Sequence, residues 1–200
     1  MSTHLLSLRH QAARATLKVS QGLELELGRA HEACGPARAT FALWLAAATE
    51  GPVLWISARW EQQQLNPAGM LDFVDPSRFL FARSSKHEDQ LWVLEEGLRA
   101  GTVPLVIADL DHLPALTPVR RLHLAAERDG DQSTAPLALL LTPGEGGAPG
   151  IESRWHLSPV HHDQQRIWHL QRLRARSQPP AAWHLQQEAP SQPPRPCPPP

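Results

Sequence analysis

The turn over residues 35–40 carries residue types that bear on phosphate chemistry. It lies between a predicted strand and a predicted helix, where a phosphate-binding loop would lie. Such a loop needs glycines for close backbone approach, a lysine for the β- and γ-phosphates and a hydroxyl for magnesium. Reading on from Gly35, the positions of the second glycine, the lysine and the hydroxyl hold Thr40, Phe41 and Ala42. The sequence therefore predicts a turn that lacks these three groups.

Asp109 is the second candidate, because it ends a run of apolar residues that predicts a buried strand. In open α/β sheets, ligands bind beyond the carboxyl ends of the strands, and a carboxylate there would be placed to assist a magnesium ion. An aspartate at the end of a strand also serves as an ordinary cap or turn residue. Both interpretations are kept open.

A group of arginines near the end of the chain forms the third candidate. Arg172, Arg174 and Arg176 alternate along a predicted strand and would share one face of it, and Arg154 lies nearby in the sequence. One interpretation is an exposed edge strand that its charges protect from aggregation. The other is a surface for a protein partner or for single-stranded DNA.

The histidines over residues 156–169 raise the question of a metal site. Zinc needs three or four converging ligands, and the spacings in this segment fit no helical pair such as i and i+4. The chain also lacks the G-x-S-x-G motif of a serine hydrolase. We therefore expect neither a metal site nor a catalytic residue.

Composition excludes several classes of protein. The chain has 200 residues with 42% hydrophobic residues and a net charge of −1, which argues against nucleic-acid binding through bulk charge. Cys34 and Cys197 alone cannot build a disulfide framework or a cysteine zinc site. The sequence has no apolar run of the roughly 18 residues that span a membrane, and its start has no apolar block typical of a secretion signal. We expect a cytoplasmic protein.

A βα rhythm extends from residue 23 to residue 142. Apolar runs predict strands at 53–56, 79–81, 103–108 and 137–141, and the segment 29–34, which ends at Gly35 and Pro36, is a further candidate strand. Helical spacing predicts helices at 37–50, 86–100 and 117–128, the last with Thr117 as its N-cap. Segments 153–157, 166–174 and 182–186 alternate without intervening helices, which predicts an antiparallel set at the edge of the sheet.

This pattern predicts an α/β fold, a three-layer sandwich with a mainly parallel central sheet and C-terminal antiparallel strands. Residues 1–22 have apolar positions near helical spacing and predict an N-terminal amphipathic helix. Residues 23–187 would form the core domain. The proline-rich residues 188–200 predict a disordered tail.

Several segments of the chain resemble RecA-type recombinases. Residues 28–36 resemble the segment before the phosphate loop, and residues 38–43 resemble the helix after it, with roughly three loop residues deleted. Residues 100–118 resemble the family's next helix end and apolar strand. A closer similarity is to the ImuA family, the RecA-like accessory proteins of bacterial SOS mutagenesis, and it lies in residues 51–56, 91–96, 153–155 and 173–176.

The resemblance implies a RecA-like fold whose nucleotide site is degenerate. The degenerate positions are Gly35, Arg38, Thr40 and Asp109. Arg38 is the one cation near the lysine position, and a planar guanidinium does not replace a compact ammonium. Arg59 lies in the region of the recombinases' catalytic glutamate and cannot act as a base. We predict a pseudo-ATPase with no cofactor, and ATP binding is the alternative.

The resemblance also implies a function through protein contacts. The chain would support error-prone translesion synthesis in the DNA damage response. Its partners would be an ImuB-like homologue of Y-family polymerases, an error-prone replicative-type DNA polymerase and RecA itself, with no membrane partner. The candidate contacts are the N-terminal helix, strands 153–186 and the arginines Arg154, Arg172, Arg174 and Arg176. The alternatives are a weak ATPase that regulates a recombinase and a single-stranded DNA binder.

Overall fold

The computed structural model describes residues 15–61, 65–128 and 132–200, and its first element is a hairpin. Strand β1 (Thr16–Ser20) pairs antiparallel with β2 (Leu23–Glu26). The predicted helix over 1–22 is therefore wrong for residues 16–20, and its first fourteen positions lie outside the described residues. Leu17 and Val19 lie two residues apart, a spacing that puts them on one face of a strand but on different faces of a helix.

The remaining elements follow the predicted βα rhythm. The helices are α1 (Arg38–Ala48), the single turn α2 (Pro67–Met70), α3 (His87–Ala100) and α4 (Leu116–Ala126). The strands are β3 (Ala30–Cys34), β4 (Val53–Ala58), β5 (Phe79–Ser84), β6 (Leu105–Asp109), β7 (Leu137–Leu141), β8 (Ser153–Pro159), β9 (Ile167–Ala175), β10 (Ala181–Gln186) and β11 (Arg195–Cys197).

One detail of the helix prediction is wrong. The N-cap of α4 is Ala115, which makes no side-chain capping bond, and Thr117 lies inside the first turn. Pro118 is tolerated in this turn because the first amides of a helix have no intrahelical acceptor.

Within the described residues, nine strands form one sheet in the order β11-β10-β9-β8-β3-β7-β6-β4-β5. The six strands from β8 to β5 run parallel to their neighbours. Strands β9, β10 and β11 continue the sheet antiparallel. The prediction of an α/β fold with a mainly parallel sheet and C-terminal antiparallel strands is confirmed. Strand β8 was expected in the antiparallel set, but it also pairs parallel with β3.

The sheet lies between two apolar layers. Alternate residues of β7 point to opposite faces, so that Leu139 packs in the cluster of Phe41 on α1 and Leu140 packs in the cluster of Leu94 on α3. The hairpin β1–β2 joins the layer of α1, and α4 joins the layer of α3. Burial on both faces explains why β7 is apolar throughout.

The C-terminal tail folds back onto the domain. Strand β11 pairs with β10, and the Ser20 hydroxyl donates a 2.6 Å hydrogen bond to the carbonyl of Pro194. The Gln187 side chain donates to the carbonyls of Pro190 and Gln192. The prediction of a disordered tail over 188–200 is therefore wrong. Proline lacks an N–H donor but is tolerated on an edge strand, where one side needs no partner.

Candidate functional site

The turn between β3 and α1 uses its own backbone amides. Gly35 N–H donates to the carbonyl of Gly144 over 3.1 Å, Ala37 N–H to that of Leu157 over 3.1 Å, and Arg38 N–H to that of Gly35 over 3.2 Å. The residue between the first two is a proline, which has no N–H. A phosphate-binding turn needs amides that point at the ligand. Here the amides of Gly35, Ala37 and Arg38 are already bonded to carbonyls.

The space beside this turn is filled by β8. Gly35 has a φ of +86°, and a Cβ added to it would lie 2.6 Å from Nε2 of His156 and 2.7 Å from the carbonyl oxygen of Leu157. The imidazole of His156 is 12% exposed. This side of the turn therefore has no room for a phosphate group.

Arg38, the first residue of α1, contacts Asp109, the last residue of β6. Arg38 Nε donates to Oδ1 of Asp109 over 3.4 Å, with the two side chains 29% and 15% exposed. Burial raises the pKa of the Asp109 carboxyl, and the Arg38 guanidinium opposes that rise. The cation nearest the lysine position is thus paired with the carboxylate that would assist magnesium. Thr40 lies half-buried in the first turn of α1.

A buried carboxylate that the sequence analysis missed organises the neighbouring loop. Glu32 on β3 is fully buried and accepts hydrogen bonds from the Thr142 hydroxyl at 2.7 Å, from Gly147 N–H at 2.8 Å and from Ala148 N–H at 3.0 Å. These bonds fix the glycine-rich segment 143–150. The signal for it in the sequence was an acidic residue in the middle of a predicted strand.

Arg154 completes this network instead of facing a partner. Its Nε lies 2.5 Å from Oε2 of Glu32, and its Nη2 donates to the carbonyl of Ala148 over 3.1 Å. The side chain is 17% exposed. Its role as a partner or DNA contact is not supported, since its guanidinium neutralises a carboxylate inside the domain.

Arg172 is also part of the packed interior. It is 9% exposed and packs against two indole rings that stack on each other with centres 6.1 Å apart, and its guanidinium carbon lies 5.6 Å from the ring centre of Trp155 and 5.2 Å from that of Trp183. Its Nε donates to the carbonyl of Pro179 over 3.0 Å, and it also contacts Gln178. A planar guanidinium suits this position, because it packs against aromatic rings while its edge donates hydrogen bonds.

The predicted stripe of arginines is therefore not formed. Strand β9 ends at Ala175, so Arg176 lies beyond it and donates to the carbonyl of Gly150 over 2.7 Å. Arg174 is exposed, and none of the described residues pairs with its guanidinium. Of the four candidate arginines, Arg174 is the one whose guanidinium makes no hydrogen bond or ion pair with the described residues.

The titratable groups that converge are not those the sequence pointed to. In the described part of the chain, the histidines of 156–169 form no group with metal-ligand spacing, whereas His87, Asp111 and His112 do. This second group gives no local signal in the sequence, because His87 begins α3 whereas Asp111 and His112 follow β6, with the rest of that helix and the strand between them.

The comparisons with known proteins leave the family open. No family model matches the chain, and no curated protein matches it. Among the residues that the structure describes, no helix is both long enough and apolar enough to cross a membrane.

Proposed function

We propose that this chain is a non-catalytic, RecA-like accessory protein of the DNA damage response that supports error-prone translesion synthesis through protein contacts. The mainly parallel sheet followed by antiparallel strands agrees with the fold that the resemblance implies. The same fold hosts many activities, so the proposal rests on the site. In the proposed assembly, the partners are the ImuB-like polymerase homologue, the error-prone replicative-type polymerase and RecA.

The observation that carries this proposal is the closed turn after β3. Gly35 and Ala37 donate their amides to carbonyls, and the imidazole of His156 fills the space beside the turn. Arg38 is paired with Asp109. A triphosphate would have to displace all of these contacts, which argues for a pseudo-ATPase without a bound cofactor.

Exposed apolar side chains support a role in protein contacts. Leu80 and Phe81 are 53% and 54% exposed on β5, which is the last strand of the sheet and has one edge that no described residue pairs with. Trp92 on α3, the helix that follows β5, is 57% exposed. Exposed apolar residues on an unpaired strand are a common feature of surfaces that bind another protein. We place the partner contact at β5 and α3, because much of the strand region 153–186 is occupied by intramolecular contacts.

The closed site is tested by nucleotide titration of the purified chain with heat stability as the readout. A site filled at 100 times its Kd would add about 2.7 kcal/mol of stability, and we expect no such change with ATP and magnesium. A saturable stabilisation that is lost in Asp109→Ala, but kept in the matched variant of the exposed Asp72→Ala, would favour the weak ATPase instead.

The partner contact is tested by recovering the tagged chain from cells with damaged DNA. We expect the Y-family polymerase homologue to be recovered with the natural chain and lost with the double variant Leu80→Ser and Phe81→Ser. Leu124→Ser is the matched control, because Leu124 is 70% exposed on another helix. Failure to recover either polymerase with the natural chain would contradict the proposal.

The single-stranded DNA alternative gains no support from the described residues. Phosphate affinity requires cations that are free to neutralise the backbone. Arg154, Arg172 and Arg176 are bonded within the domain, so that Arg174 alone remains of the four.

A further inference from the structure

His87, Asp111 and His112 meet at the carboxyl edge of the parallel sheet. His87 is the first residue of α3 and follows β5 closely, while Asp111 and His112 lie in the loop after β6. Strands β5 and β6 flank β4 and run parallel to it, so that both loops leave the same edge of the sheet. This is the edge at which open α/β sheets bind their ligands.

The three side chains are close enough to share one ion. Asp111 Oδ1 lies 3.7 Å from Nδ1 of His87 and 2.6 Å from Nδ1 of His112, and one ligand atom from each residue lies within 4.8 Å of the others. Ligands about 2.0 Å from a tetrahedral ion are separated by about 3.3 Å. A cation would enter only after the stacked rings of His87 and His112 turn apart, and it would replace the contact between Asp111 and His112.

His87 is the unexplained member of this group. Its side chain is 11% exposed, yet neither ring nitrogen has a hydrogen-bond partner. Buried polar groups in folded proteins are nearly always satisfied, and an exception calls for a reason. A bound ion would satisfy this imidazole.

The surroundings of the three side chains suit a cation. The ring of His87 stacks on that of His112 with centres 3.7 Å apart, which places the two imidazoles side by side. Glu88 and Asp89 in the first turn of α3 offset the positive end of that helix.

We propose that His87, Asp111 and His112 form a binding site for Zn²⁺, with solvent completing the coordination. Two imidazoles and one carboxylate suit zinc better than magnesium or calcium, which prefer oxygen ligands. His112 and Asp111 are 59% and 37% exposed, which leaves the ion open to water on one side. The bound ion would tie the β5–α3 loop to the β6–α4 loop. This proposal is independent of the proposed function.

Zinc binding to the purified full chain tests the site, with an indicator competition for affinity and Co²⁺ absorption for coordination. We expect one equivalent of zinc and cobalt bands typical of a site with nitrogen and oxygen ligands. His112→Ala and Asp111→Asn change exposed residues and should each weaken binding at least tenfold without loss of the fold.

His162→Ala is the matched control, because His162 and Asp163 form an exposed pair 2.9 Å apart that has no third ligand among the described residues. We expect it to bind zinc as the natural chain does. The absence of stoichiometric binding, or equal affinity in His112→Ala and the natural chain, would overturn the site. An equal loss in His162→Ala would show that zinc binds surface histidines only.

Discussion

Arg154 and the fully buried Glu32 lie opposite each other on neighbouring parallel strands, with Nε 2.5 Å from Oε2. The register of β3 and β8 places them in this position directly. The carboxylate also accepts the amides of Gly147 and Ala148, so the pair joins two strands to the glycine-rich loop. A buried charge that is paired and hydrogen-bonded in this way is strongly sensitive to the loss of one partner.

Removing one partner of this pair should destabilise the domain severely. We expect Arg154→Ala to lower the free energy of unfolding by about 3–5 kcal/mol, because it leaves the Glu32 carboxylate buried and without its counter-charge. Urea unfolding measures this value. The control is Arg174→Ala, which removes an exposed arginine without a described partner and should change stability by no more than about 0.5 kcal/mol. Similar losses in the two variants would contradict the network.

Substitution of glycine by alanine tests how closely His156 packs against the turn after β3. Gly35→Ala should lower the free energy of unfolding by about 1–2 kcal/mol for its positive φ, and by about 1–3 kcal/mol more for the contact with His156. Gly144→Ala is the control, because its φ of +60° is also positive but no atom lies within 4 Å of an added Cβ. Equal losses in urea unfolding would mean that the space beside Gly35 is open.

Arg172 should act as a packing residue. We expect Arg172→Ala to lower the free energy of unfolding by about 2–4 kcal/mol, because it removes a guanidinium that packs against two indole rings and leaves a cavity. Arg172→Lys should recover little of this loss, since an ammonium cannot stack as a plane. Tryptophan fluorescence and urea unfolding report the change. Unaltered stability together with weaker binding of single-stranded DNA would instead support the nucleic-acid alternative.

The stability of the domain should fall as the pH drops below neutrality. Burial lowers the pKa of His31 to about 4, although a hydrogen bond to the carbonyl of Glu26 opposes this shift. Its Nε2 donates to that carbonyl over 2.9 Å, which leaves Nδ1 to accept from the Ser153 hydroxyl over 2.6 Å. Both bonds are satisfied by the neutral ring.

The direction of the pH effect follows from proton binding. The unfolded chain protonates His31 near pH 6.5, whereas the folded chain resists protonation down to about pH 4. Stability is therefore full above pH 6.5 and declines towards pH 4, by on the order of 3 kcal/mol from this residue. Burial lowers the pKa of His123 to about 4 as well, so it adds to the same decline. His31→Gln should flatten the dependence of unfolding free energy on pH between 7 and 4.5, and an unchanged slope would contradict this account.

The sequence alone was sufficient for most of the sheet and its helices. Two local signals are the continuous apolar run Leu137–Leu141 and the helical spacing of Leu91, Leu94 and Leu98. Over such stretches, the pattern in which apolar residues recur along the chain distinguishes a strand from a helix. The sequence also determined that the turn after Gly35 lacks the second glycine, the lysine and the hydroxyl of a phosphate loop. Both conclusions depend on residues that are close together in the chain.

Tertiary structure decided the roles of the charged side chains. Glu32 and Arg154 are 122 positions apart in the chain. The sequence around an arginine that pairs with a buried carboxylate does not differ from the sequence around an arginine on the surface. The same holds for Arg172, for the meeting of His87 with Asp111 and for the tail that returns to Ser20. Hydrophobic periodicity reports which face of an element is buried, but the partner of a polar group depends on which strands become neighbours, and that is settled only when the sheet assembles.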